Sequence, residues 1–323
     1  MKYASSNSNT GHGVSILDTY TEELKRWLNK RFSTCDENGV YIAHQPIYGF
    51  RKGPCEPGHI SRYIITYRLL EALGHLEFES LLDVGGAEGY KAFLVHKFFN
   101  IPVMSTDLSE ESCKRANEIF GIESNSSDIH HMPFEDGQFD VVMCSETLEH
   151  VTDWKQATSE LLRVAKKAVF ITVPQDNEKF IEHNKTTKEM HSHIHQFNSD
   201  SFKYLKSENC TVIVRKISSS LLVIPACLVD ATHRAHNENW RHPRIATHIY
   251  NFLTVLTKKI FGEKTSEFLI WIDRYFCKMF QFHQTNIFMI LKNSDCLYGK
   301  KVPNNLSIRE IVKFSVPHHY LSK

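Results

Sequence analysis

Apolar residues recur at helical spacing from about Val14 to Phe32, through Ile16, Leu17, Tyr20, Leu24, Trp27 and Leu28, and predict a first helix. A stretch rich in Gly and Pro follows, from Gly39 to Gly58, and a second helix is predicted over about His59 to Leu73. The rhythm then changes. Short apolar runs at Ser80–Val84, Ile101–Ser105, Phe139–Cys144 and Ala168–Val173 read as buried strands, with helical periodicity between them at Tyr90–Phe99, Glu110–Phe120 and Trp154–Ala165. Ser199–Leu205 reads as helix, and Thr211–Ile217 and Asn286–Lys292 as two more strands. Strands alternating with helices predict an α/β fold built on a mostly parallel sheet covered on both faces.

This pattern divides the chain. Residues 1–13, small and polar, are expected to be disordered, 14–75 to form an N-terminal helical segment, and 76–217 to form the core. Residues 218–283 break the rhythm as a helical insertion before the last strand, with helices expected at Thr247–Phe261 and Lys264–Met279, and 284–323 close the chain. Within the insertion, three arginines and three histidines surround Trp240 between His233 and Arg244. This reads as a solvated loop, with an anion-binding face as the alternative. The helix carrying Phe268, Leu269, Trp271, Ile272, Tyr275, Phe276, Met279 and Phe280 is expected to be buried inside the insertion. A substrate lid, a homodimer interface or a membrane-resting face are its other readings.

Composition narrows the class without naming a partner. The 323 residues are 41% hydrophobic and 23% charged, with a net charge of +1, so no global field favours nucleic acid or an anionic surface. Eight cysteines are scattered with no CxxC pair and read as buried or free thiols. The first residues carry no apolar signal-peptide core, and the longest apolar run, Leu221 to Val229, has nine residues where a membrane span needs about 18. The expected location is cytoplasmic, with no transmembrane segment.

The most informative segment is Leu81-Leu82-Asp83-Val84-Gly85-Gly86-Ala87-Glu88-Gly89-Tyr90. A strand runs into a turn of small residues and a helix opens behind it, so backbone can approach a ligand and unpaired N–H groups face it. A dinucleotide fingerprint Gly-x-Gly-x-x-Gly would put Tyr90 at its last glycine, where its bulk blocks close helix packing. Asp107 ends the next apolar run, 24 residues after Asp83, where an acid can take both ribose hydroxyls of a nucleoside. Asp128 precedes His131-Met132-Pro133-Phe134, and Gln138-Phe139-Asp140-Val141-Val142 follows.

Read as Gly-x-Gly-x-Gly, with Ala87 at the middle glycine, the loop resembles motif I of the class I methyltransferases that use S-adenosyl-L-methionine (SAM), and the Asp128 stretch resembles a later element of the same family. The resemblance covers about Ser80 to Phe202 and implies a Rossmann-like, doubly wound fold. It also implies SAM bound by Asp83, Gly85, Gly86, Ala87, Gly89, Asp107, Leu108, Asp128, Ile129 and Ser145, with Asp128 meeting the adenine amino group.

After Ser145 comes Glu146-Thr147-Leu148-Glu149-His150. On a helix, Glu146, Glu149 and His150 would share one face near the carboxyl ends of the strands, where open α/β sheets bind ligands. Two carboxylates and an imidazole there suit a divalent ion, Mg²⁺ or Mn²⁺, with a fourth ligand from the histidines at 191, 193 and 195. The set is similar to the metal site of the ubiquinone-biosynthesis O-methyltransferases and small-RNA 2′-O-methyltransferases, which implies His195 as that ligand, since Phe197 follows it by two. Without a metal, the Glu-His pair starts a helix under the site, and His150 is the nearest general base for a hydroxyl.

The leading expectation is therefore O-methylation of a small hydroxylated acceptor. The second is a metal-dependent RNA 2′-O-methyltransferase, and the third a SAM-fold protein that binds without catalysis. The intact loop with Asp107 and Asp128 weighs against the third, and the balanced charge against RNA.

Overall fold

A computed structural model describes residues 16–34, 56–207, 209–217, 285–292 and 302–313, with isolated positions between 256 and 275. The expected disorder of 1–13, the Gly/Pro-rich stretch before residue 56, the His/Arg-rich stretch at 233–244 and most of the 218–283 insertion lie outside the described residues.

Two helices, α1 (Ile16–Ser33) and α2 (Glu56–Leu73), precede β1 (Leu81–Val84), α3 (Tyr90–Phe99), β2 (Val103–Asp107), α4 (Glu110–Phe120) and β3 (Glu123–Ser126). Then come β4 (Phe139–Ser145), α5 (Trp154–Val164), β5 (Ala165–Pro174), α6 (Glu178–Thr187), β6 (Cys210–Ile217), β7 (Thr285–Lys292) and a last described helix, α7 (Ile308–Lys313). The seven strands form one sheet in the order β3-β2-β1-β4-β5-β7-β6. All pairs are parallel from β3 through β5, while β7 runs antiparallel to both β5 and β6. The expected doubly wound, mostly parallel sheet is present, and the strand order turns between β1 and β4, the usual place for a ligand crevice.

Strand pleating sorts the core. Along β4, Val141 and Met143 join a cluster with Leu69, Leu70, Tyr90 and Phe170 on one face, while Val142 and Cys144 join Leu161, Ile171, Phe288 and Ile290 on the other. β1 and β4 are buried along their whole length, as strands with helices on both faces must be. Helix ends follow local chemistry. Ser109 caps α4, its hydroxyl accepting from Ser112 N–H at 3.2 Å, and Glu110 and Glu111 sit favourably in the first turn. Asp153 caps α5 by accepting from Lys155 and Gln156 N–H.

Four expectations need correction. No helix follows β4 at Glu146, and the chain turns instead until α5 starts at Trp154. Ser199–Leu205 is a turn with one 3-10 segment, Lys203–Leu205, because Phe202 is pulled into the core at 0% exposure. β3 and α6 were not expected. β3 is the polar sequence ESNS on a sheet edge, and α6 starts from the cap Asn177. Phe268, Trp271 and Tyr275 are exposed, so burial inside the insertion does not hold for them. Among the described residues, no helix is long and apolar enough to cross a membrane.

Phe288 on β7 is fully buried and meets Phe202 edge-on at 4.6 Å. Phe288→Ala is expected to lower unfolding free energy by about 3–5 kcal/mol. Urea denaturation checks this, and a loss under about 1 kcal/mol would contradict the close packing of Phe288 on Phe202.

Candidate functional site

The glycine loop leaves β1 at its carboxyl end. Gly85 adopts φ +70°, and a Cβ there would run into the Thr147 side chain. A Cβ on Gly86 would collide with Ser105 Oγ and stand 2.9 Å from Asp83 Oδ2. Two strand ends and the turn after β4 therefore press on this loop, and only glycine fits. Ala87 sits at φ 48°, left-handed backbone that costs a non-glycine residue about 1–3 kcal/mol. What holds it is Asp107. Its Oδ2 accepts the Ala87 N–H at 3.0 Å and its Oδ1 accepts the Ser109 N–H at 2.9 Å.

The carboxylate of Asp107 thus joins the β1 and β2 loops. Burial pushes its pKa up while the two amides pull it down. Asp83 is 1% exposed with Oδ2 unpartnered among the described residues, and burial pushes it up to about 7, against the pull of Lys91. Asp128 takes the His130 ring Nδ1 at 2.6 Å and the His130 N–H at 2.9 Å, both on Oδ1. Ile129 packs at the edge of the second core cluster, Leu108 lies under α1, and Ser145 Oγ shares a 2.6 Å hydrogen bond with Thr172 Oγ1. Asp140 serves the sheet itself, where its Oδ2 accepts from the Glu79 N–H and from Lys167 Nζ.

A second group lies beyond β4. Glu146 has φ 56°, and its N–H donates to the Thr172 carbonyl at 2.8 Å. Glu146 Oε1 and both oxygens of Glu149 are buried without hydrogen-bond partners among the described residues. Burial raises the pKa of both acids; for Glu149, neighbouring Glu146 adds to it and the shift is large. His150 donates Nδ1–H to the Ser192 carbonyl at 3.2 Å, which leaves Nε2 with its lone pair, 3.8 Å from Glu149 Oε1. Burial, with His191 and His193 alongside, holds the His150 pKa well below the ordinary imidazole value.

The segment after α6 supplies the wall. Asn184 Nδ2 donates to the His193 carbonyl, and the Ile194 N–H donates to the Glu149 carbonyl, each at 2.8 Å. Ligand atoms of Glu149, His150 and His193 all lie within 4.8 Å of one another. His193 Nδ1 is bonded to Asp176 Oδ2 at 2.6 Å, which turns Nε2 away from that carboxylate. The expected fourth ligand, His195, is not in the group, because its Nε2 donates to the Val151 carbonyl at 2.6 Å. The loop geometry after β4 decided this, and the sequence around residues 191–195 held no spacing that would separate the three histidines. Asp176 is the site residue that sequence reasoning missed, while His193, one of the three histidines considered, takes the place expected of His195.

Gly86→Ala is expected to destabilise the fold by about 1–3 kcal/mol, the usual range for an overpacked site. Ser105→Ala, which removes the nearest atom, should recover part of that loss in the double variant. Thermal melts of the four proteins check it, and strict additivity would contradict the contact.

Residues 82–173 match the model of the methyltransferase domain family. The chain is 30% identical over 149 residues to ajmaline N-methyltransferase of Rauvolfia serpentina, covering 44% of this chain and 45% of that protein. It is 34% identical over 97 residues to the chloroplastic tocopherol O-methyltransferase of Arabidopsis thaliana, covering 28% of each. The chain thus spans less than half the length of these curated relatives. Among solved structures it is similar to geranyl diphosphate C-methyltransferase of Streptomyces coelicolor, at 15% identity and a TM-score of 0.48, covering 85% of this chain and 98% of that one. Glycine loop, strand-end acids and family match coincide on one stretch, residues 82–173, which matches the methyltransferase domain family.

Proposed function

We propose that the chain transfers the methyl group of SAM to a hydroxyl of a small-molecule acceptor, with His150 as the base. The observation that carries this reading is the lone pair on His150 Nε2, half-buried beside the carboxyl edge of the sheet, with the ring fixed by the Ser192 carbonyl. In the reaction an acceptor oxygen attacks the methyl carbon in line. The sulfur–carbon bond breaks, its electron pair stays on sulfur, and the acceptor proton passes to Nε2. Alignment and exclusion of water supply most of the acceleration. Asp83, Gly85, Gly86, Ala87, Gly89, Asp107, Leu108, Asp128, Ile129 and Ser145 remain the cofactor residues of this reading. Asp107 would offer its remaining lone pairs to the ribose, and Asp128 its Oδ2 to the adenine amino group. Relatives named for ajmaline, norajmaline and tocopherol support a small-molecule acceptor over RNA.

Replacing Asp107 with Ala should weaken SAM binding about 10- to 100-fold, since bonds to charged acceptors are worth roughly 1.5–3 kcal/mol. Isothermal titration checks this. Unchanged SAM affinity in the variant, or a preference of the unaltered chain for NAD, would defeat the cofactor reading.

A bound divalent cation is a second reading, favoured by Glu149. Both of its buried oxygens are unpartnered among the described residues and Oε1 lies 3.8 Å from His150 Nε2, an arrangement that a proton or a cation must neutralise. Glu149, His150 and His193 would hold the ion, with Asp176 orienting His193, and two nitrogens with one carboxylate suit Mn²⁺ better than Mg²⁺. When bound, the ion would polarise an acceptor hydroxyl. Methyl release measured over a panel of small hydroxylated compounds should then vanish in excess EDTA and return with Mn²⁺, while SAM affinity stays unchanged. Full activity in EDTA leaves His150 as a plain base.

A further inference from the structure

Helix α1 touches both halves of the site. Leu24, Leu28 and Phe32 are buried against Ala87 of the glycine loop, Leu108 after β2 and Met190. Asn29 Oδ1 accepts from Ser109 Oγ at 2.8 Å, and Lys25 pairs with Glu110 at 2.7 Å, so the helix is tied to the loop that Asp107 organises. From the same helix, Trp27 lies on the His191 ring, with centroids 5.8 Å apart and planes 18° apart. His191 in turn lies on His150, at 3.8 Å and 26°. Three flat rings form a continuous pile from α1 to the candidate base.

His191 is placed there against its backbone preference. Its φ of 57° is left-handed, a conformation that costs a non-glycine residue about 1–3 kcal/mol unless its surroundings impose it. Both neighbours of His191 are used as well. Met190 packs under α1, and the Ser192 carbonyl accepts from His150 Nδ1–H. The edge of His150 meets the His193 ring at 4.7 Å. His150 is thus held on a face, at Nδ1 and along an edge by residues 191–193, and the free face of that holder rests on Trp27.

We infer that His191 is a positioning residue: clamped between Trp27 and His150, it transmits the docking of α1 on the cofactor loops to the orientation of the candidate base. The inference rests on the reading of His150 as the base. α1 closes over Ala87 and Leu108, both cofactor residues of that reading, so a nucleoside settling on these loops meets the underside of the same helix that carries Trp27. Trp27 also packs against the Leu24, Leu28 and Phe32 cluster and lies under the Arg31 guanidinium, so its loss removes these contacts together with the support of the ring pile.

The test uses the full chain with histidines labelled at ring carbon Cε1 and SAM as the probe. The His150 and His191 resonances are assigned by the variants His150→Gln and His191→Ala. In the SAM-free protein, Trp27→Ala should move and broaden both resonances, and Trp27→Phe should restore them, because a phenyl ring can still cap the pile. With SAM added, the His150 resonance should respond in the unaltered chain and in Trp27→Phe but not in Trp27→Ala, whose SAM affinity by titration stays within about threefold. An unchanged His150 resonance in SAM-free Trp27→Ala would overturn the positioning role, and an equal SAM response in that variant would overturn the coupling. Failure of the unaltered chain to bind SAM would instead defeat the functional reading, and the SAM-free comparison still decides the ring pile on its own.

Discussion

The carboxylate of Asp107 sits where two strand ends, one helix cap and one strained residue meet. It accepts from the Ala87 and Ser109 amides, and so fixes the glycine loop to the start of α4 across the gap between β1 and β2. That pair of bonds acts with the Gly85 and Gly86 amides on the Thr106 carbonyl and with the packing of α1 to hold Ala87 at φ 48°. Without the pair the loop would relax, and with it the surface on which α1 lies. Burial works against this acid, raising its pKa, while the two amides offset part of the penalty. A ligand hydroxyl at the same oxygens would add to that compensation, so the strain is stored where ligand binding can use it.

The carboxyl edge of β4 has the opposite problem. Here Glu149 is buried with both carboxylate oxygens, and Glu146 half-buried with Oε1, unpartnered among the described residues, next to an imidazole whose Nε2 lies 3.8 Å from Glu149 Oε1. Such a grouping lowers stability unless a proton or a cation is shared, and unsatisfied buried acids of this kind mark functional positions more often than structural ones. The histidine segment over it is anchored by Asn184, by the Glu149 carbonyl and by Trp27 through His191. The loops after β1 and β2 and the candidate base are thereby linked through α1, not through the sheet alone.

Much of this was legible in the residues. The buried strands β1, β4, β5 and β7 carry short, largely apolar runs, and Gly85-Gly86-Ala87-Glu88-Gly89 announced a loop that presses on its neighbours. β3 escaped because Glu123-Ser124-Asn125-Ser126 has no apolar run; its place is set by pairing with β2, a long-range effect. The helix expected at Glu146 failed because a tertiary hydrogen bond from the Glu146 N–H to Thr172 turns the chain at φ 56°. With the helix gone, the one-face argument went too, and Glu149 and His150 found His193 in place of His195. Three histidines at alternating positions carry no periodic signal for which one points inward; Asp176 and the Val151 carbonyl make that choice in space.

In the proposed reading the loops after β1, β2 and β3 form one cofactor surface, with α1 packed over Ala87 and Leu108 of the first two. Hydrogen–deuterium exchange of the full chain, with and without SAM, measures this directly. Segments 83–89, 105–109 and 127–131 should gain protection together, along with the face of α1 carrying Leu24 and Leu28, and NAD should leave all of them unchanged. Protection absent from these segments, or confined to one of them, would contradict the account.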